Sequence, residues 1–80
     1  MRIDKYLKVS RIIKRRTVAN EACAQGRVMI NGRIAKPGTE VNVGDIIEIK
    51  FGEDVRKYEV LKVAEHVSKD DAEDMYRIVE

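Results

Sequence analysis

Seven cations crowd the first sixteen residues: Arg2, Lys5, Lys8, Arg11, Lys14, Arg15 and Arg16. They recur every third position until they merge in the run Lys14-Arg15-Arg16, so a helical backbone would stack them on neighbouring turns. Fixed cations at this spacing hold phosphate groups; they do not make or break bonds. Thr17 follows at the expected start of a second helix, where unpaired backbone N–H groups add to an anion site. Arg27 and Asn31 carry the candidate set into the next segment, Arg27 by its charge and Asn31 by its place in a turn. A merely solvated helix face alternates in sign. Here only Asp4 and Glu21 oppose ten bases between Arg2 and Lys36, whereas six bases face twelve acids from Pro37 onward. The net charge of +2 therefore hides a polarised chain, with one half suited to a polyanion and the other acidic.

Other chemistry finds little support. Cys23 is the only cysteine and sits among alanines, which reads as a small core residue and not a nucleophile. His66 is the only histidine and has no second ligand at metal-binding spacing. No serine or cysteine stands beside a base, so no triad is available. Asp70, Asp71, Glu73 and Asp74 suit the start of a short helix better than a metal site. We expect no enzyme, no cofactor and no metal.

The elements that must position the cations follow from periodicity. A first helix is expected near Asp4, whose carboxylate would cap it, with Ile3, Tyr6, Leu7 and Val9 facing inward. The β-branched pair Ile12-Ile13 marks a break, and Thr17 would cap a second helix from Val18 to about Gln25, with Gly26 as its left-handed stop. Its buried side consists of the small residues Val18, Ala19, Ala22 and Cys23, which lets two helices approach closely. Val28-Met29-Ile30, the turn Asn31-Gly32 and Arg33-Ile34-Ala35 form a hairpin. Further strands are expected over Ile46–Phe51, Val55–Val63 and Tyr76–Val79, with one helical turn capped by Ser68 before the last of them. The fold class is α+β: two short packed helices against a small bent antiparallel sheet.

Eighty residues make a single domain, 1–80, with a thin core, since a chain of this size buries only about 60% of its unfolded surface. Hydrophobic residues at 44% and charged ones at 38% describe a globular chain with a highly charged surface. A lone cysteine suits a reducing cytoplasm. Without a long apolar run, no membrane segment or signal peptide is expected.

The ordered motifs RIDKYLK, SRIIKRRT, A-x-x-A, G-R-V-x-I-N-G and V-x-V-G-D-x-I resemble the S-four domain, the RNA-binding domain named after the fourth protein of the small ribosomal subunit. The resemblance covers a core motif of about residues 1–51, leaving 52–80 as a C-terminal strand extension. Over its full length the chain is similar to the stand-alone bacterial members of that family. These are the ribosome quality control factors of the RqcP type and, more distantly, the fifteen-kilodalton heat-shock proteins. The resemblance implies a cytoplasmic monomer that binds ribosomal RNA of the large subunit together with tRNA. It further implies stabilisation of peptidyl-tRNA on obstructed subunits beside an alanine-tailing factor. Carried onto this chain, the RNA-binding positions are Arg2, Lys5, Arg11, Arg15, Arg16, Thr17, Arg27 and Asn31, with Lys8 and Lys14 as charged neighbours. Ile3 stands where the family commonly has Leu.

Three alternatives compete with this reading. A helix, break and helix also suit a DNA-binding helix-turn-helix regulator, although its second helix would offer only Asn20, Glu21 and Gln25 to read bases. A general ribosome-assembly RNA-binding module would use the same cations. A protein adaptor would work through the acidic C-terminal half. One Phe and three Tyr are too few for a single-strand stacking platform.

Overall fold

Ile3, Tyr6 and Leu7 stand at i, i+3 and i+4, and this apolar stripe buries helix α1, Ile3–Val9, against the rest of the chain. A computed structural model describes all 80 residues. Asp4 does not hold the N-cap position of α1 but serves its first turn in part, its Oδ1 accepting from Lys5 N–H at 2.8 Å. The two amides before that one are taken by the segment before the third strand, with Ile3 N–H donating to the Thr39 carbonyl (2.8 Å) and Asp4 N–H to that of Pro37 (3.3 Å). Arg2 bridges Glu40 in the same antiparallel contact. With backbone acceptors on those two amides, the Asp4 carboxylate keeps its remaining capacity for side-chain partners.

Helix α2 spans Arg16–Ala24, so it begins two residues earlier than the sequence suggests, and Thr17 lies in its first turn and caps nothing. Ala19, Ala22 and Cys23 form the inward stripe at i, i+3 and i+4, while Val18 falls off it and is 43% exposed. Between the helices the chain turns sharply at Arg11, whose φ of 63° is left-handed. Ile13 is buried and anchors the turn, with its N–H donating to the Leu7 carbonyl at 3.1 Å.

The five strands are β1 (Val28–Ile30), β2 (Arg33–Ile34), β3 (Ile46–Phe51), β4 (Asp54–Val60) and β5 (Tyr76–Val79). They form one antiparallel sheet in the order β2-β1-β3-β4-β5. Asn31 and Gly32 both take positive φ (51° and 83°), as a tight type I′ hairpin turn requires. Registers Ile30↔Ile47↔Tyr58 and Val28↔Ile49 line up the core face of the sheet under the helices. Strand β4 stops at Val60 instead of Val63. The reason is that the Leu61 and Lys62 amides both donate to the Met75 carbonyl (2.8 and 3.1 Å), which pulls the chain out of line and leaves Leu61 exposed. Met75 closes a 3-10 turn, Glu73–Met75, after the helical turn α3, Lys69–Ala72, which Ser68 caps by accepting from Asp71 N–H at 3.2 Å. The same Met75 carbonyl accepts the Tyr6 hydroxyl at 2.8 Å, which ties the C-terminal segment to α1.

Candidate nucleic-acid interface

The interface is built around Asp4. Its side chain is 1% exposed, on the first turn of α1 beside the start of α2. It accepts from Arg2 Nε and Nη2 (both 3.1 Å), Asn20 Nδ2 (3.2 Å) and the Lys5 amide (2.8 Å), and Arg16 Nη2 stands 3.6 Å away. Burial alone would push this carboxyl up. The bonds from Asn20 and Arg2, the charge of Arg16 and the Lys5 amide outweigh it and hold the pKa below the ordinary carboxylate value. Two guanidinium groups thus gather on one buried acid, Arg2 through two hydrogen bonds and Arg16 through an ion pair, with about half of each side chain left in solvent. Asp4 also sits near Cys23, whose thiol is pushed up to about 11, first by burial and then by that negative charge. A thiol so disposed is inert at neutral pH.

Three depressions run together along this side of the molecule. One is lined by Arg2, Asp4, Arg16, Thr17, Asn20 and Glu21. The next shares Arg2 and Arg16 and adds Lys5, Gly38, Glu40 and Glu65. The third, about 130 Å³, shares Glu65 and is lined by Lys8, Arg11 and Lys14 with His66 and Val67. At the start of α2 the amides of Arg16, Thr17 and Val18 donate to no group of the protein. This edge therefore offers amide donors beside the guanidinium groups.

Of the ten positions singled out from the sequence, seven line this continuous edge: Arg2, Lys5, Lys8, Arg11, Lys14, Arg16 and Thr17. Arg15, the residue preceding α2, is exposed beside them. Arg27 and Asn31 line none of the three depressions. Arg27 is half-buried, and its Nε is enclosed without a partner. The Asn31 amide is occupied by the turn into β3, donating to Asp45 (3.1 Å) and accepting from Ile46 N–H (2.9 Å).

The expectation that the row is unneutralised needs correction. Arg2 and Arg16 share Asp4, and Lys5 pairs with Glu65 at 3.2 Å, because α1 carries its own buried acid and the 61–68 segment passes over it. Lys8, Arg11, Lys14 and Arg15 make no ion pair. Sequence reasoning missed the organising pair Asp4 and Asn20. The available signal was polarity at positions adjoining apolar stripes, Asp4 next to Ile3 and Asn20 next to Ala19. Nothing in the sequence marks His66 as a neighbour of Arg11.

Residues 1–47 match the S4 domain family. The chain belongs to that family. Two relatives, each named RQC P-site tRNA stabilizing factor, come from Streptococcus pneumoniae and Halalkalibacterium halodurans. They are 51% and 50% identical to this chain, cover 99% and 98% of it, and are themselves covered to 90% and 89%. The trimeric heat-shock protein 15 of Vibrio cholerae has the same fold, with a TM-score of 0.89 at 30% identity over 99% of this chain and 81% of that one. The Asp4 cluster and the Arg11 turn lie inside the S4 match, whereas Glu65, His66 and Val67 come from the part of the chain beyond it.

Proposed function

We propose that this S4 domain protein is a non-enzymatic RNA-binding factor acting over its whole length as one unit. It binds tRNA and large-subunit ribosomal RNA on obstructed subunits and steadies peptidyl-tRNA during ribosome quality control and alanine tailing in the cytoplasm. The observation that carries this reading is the continuous edge on which Arg2 and Arg16 gather on buried Asp4 while Lys8, Arg11, Lys14 and Arg15 remain unpaired. A-form RNA presents phosphates and 2′-hydroxyls across a wide, shallow minor groove, and a rigid basic platform reads that shape without base-specific contacts. The names of the two bacterial relatives, about half identical over nearly the full chain, support tRNA as one of the RNAs. The duplex-DNA alternative loses its best base reader, because Asn20 is committed to Asp4.

The test has two arms. Affinity for a structured tRNA should fall linearly with the logarithm of salt concentration, with several phosphates neutralised, and should exceed affinity for duplex DNA of equal length. Protein captured from cells should bring large subunits carrying peptidyl-tRNA. Salt-independent binding, or capture of no ribosomal particle, would overturn the proposal.

A further inference from the structure

The smallest of the three depressions differs from the other two. At about 130 Å³ it is well below the roughly 300 Å³ at which small-molecule pockets begin, so it suits a single anionic group and not a base. Lys8, Arg11 and Lys14 line it with no ion-pair partner, and its one acid, Glu65, lies 3.2 Å from Lys5 Nζ. The enclosed field is therefore positive. A second observation concerns Arg11, which holds φ of 63°, a backbone region that costs a non-glycine residue energy. That conformation is kept by Arg11 N–H donating to the Lys8 carbonyl at 3.1 Å and by buried Ile13 just after it. On the opposite wall the segment is fixed as well, since Val67 packs on the core and Glu65 is tied to α1.

We infer that the Arg11 turn and the 65–67 segment together form a pocket for one phosphate group, with Lys8, Arg11, Lys14 and His66 as its donors. The pocket rests on the RNA-binding reading above in one respect: the phosphate it takes is one of the RNA backbone, adjacent to those met by Arg2 and Arg16. It also gives the part of the chain beyond the S4 match a role, because His66 brings an imidazole to a cluster of S4-domain cations. A left-handed arginine is then explained by function. Glycine would be easier for the backbone there but would leave the cluster without its guanidinium group.

The decisive variant is Arg11→Gly in the full chain. Glycine accepts this φ without strain, so folding is retained and the melting temperature stays within a few degrees. Affinity for structured RNA should fall about five- to tenfold and the salt slope should shrink by about one phosphate. His66→Gln should lower affinity in the same direction. In a separate arm, inorganic pyrophosphate added to the wild-type protein should shift the amide resonances of Arg11 and His66 and compete with RNA, and Arg11→Gly should abolish both effects. Wild-type affinity and slope in both variants would overturn the pocket, as would pyrophosphate shifts that survive Arg11→Gly. A wild-type protein that binds no structured RNA would overturn the function proposed above. The pyrophosphate arm would then judge the pocket alone, with shifts at Arg11 and His66 supporting a free-phosphate site and their absence overturning it.

Discussion

The two cation clusters on this edge are built on opposite principles. Around Asp4, two arginines and an asparagine share a buried carboxylate, so part of the positive charge is cancelled and the side chains are fixed. Around the Arg11 turn, three cations keep their full charge, and it is the backbone that is held. The first arrangement supplies geometry, since rotamers fixed before binding do not have to be ordered when RNA arrives. The second supplies field, which draws a polyanion in and makes binding sensitive to salt. A rigid RNA surface on so small a chain needs both, and the sequence places them two turns of helix apart.

Breaking the Asp4 cluster should have the largest effect. Asp4→Ala leaves Asn20 and two guanidinium groups without their acceptor, at a cost of about 2–3 kcal/mol in folding stability. For a chain of this length that corresponds to a fall in melting temperature on the order of 10 °C. Lys14→Ala, in the other cluster, should stay within about 0.5 kcal/mol. Equal melting temperatures for the two variants would erase the contrast between the clusters.

Arg16→Ala sharpens the comparison from the RNA side. One rigid phosphate contact is lost, so tRNA affinity should drop about tenfold, while stability changes by less than about 1 kcal/mol because the arginine is half exposed and Asp4 keeps Arg2 and Asn20. Filter binding and thermal unfolding of the same preparation would separate the two effects.

A smaller effect is expected in acid. The pKa of Asp4 is lower in the folded chain than in the unfolded one, so its contribution is complete above about pH 4 and disappears as pH falls through the depressed folded value. Asp4→Asn should flatten this part of the stability–pH curve and leave the neutral region parallel to wild type. The smallest effect belongs to the pair between Lys5 and Glu65, both partly in solvent. Glu65→Gln should change stability by no more than about 1 kcal/mol, an amount that 0.5 M salt should largely remove.

Much of the fold was legible because it rests on local rules. Gly26 ends α2 with φ of 74°, Asn31-Gly32 turns the hairpin, and β3 runs from Ile46 to Phe51 as its alternation requires. Where α1 finds acceptors for its first amides and where β4 stops depend on distant chain. The Pro37 and Thr39 carbonyls cap α1 from outside it, and the Met75 carbonyl ends β4 from fifteen residues further on. No window of local sequence contains those acceptors.

For the candidate site the division is similar. The number, sign and helical spacing of the cations can be read from the order of the residues, because charge and periodicity are properties of a single segment. Which of them are neutralised and which stay free depends on how the chain packs. Asp4 reaches Arg16 and Asn20 across a helix–helix contact, and Glu65 and His66 reach the Arg11 turn across more than fifty residues. Electrostatic partners are chosen by distance in space, and a distance of 3 Å between side chains leaves no trace in the order of the residues.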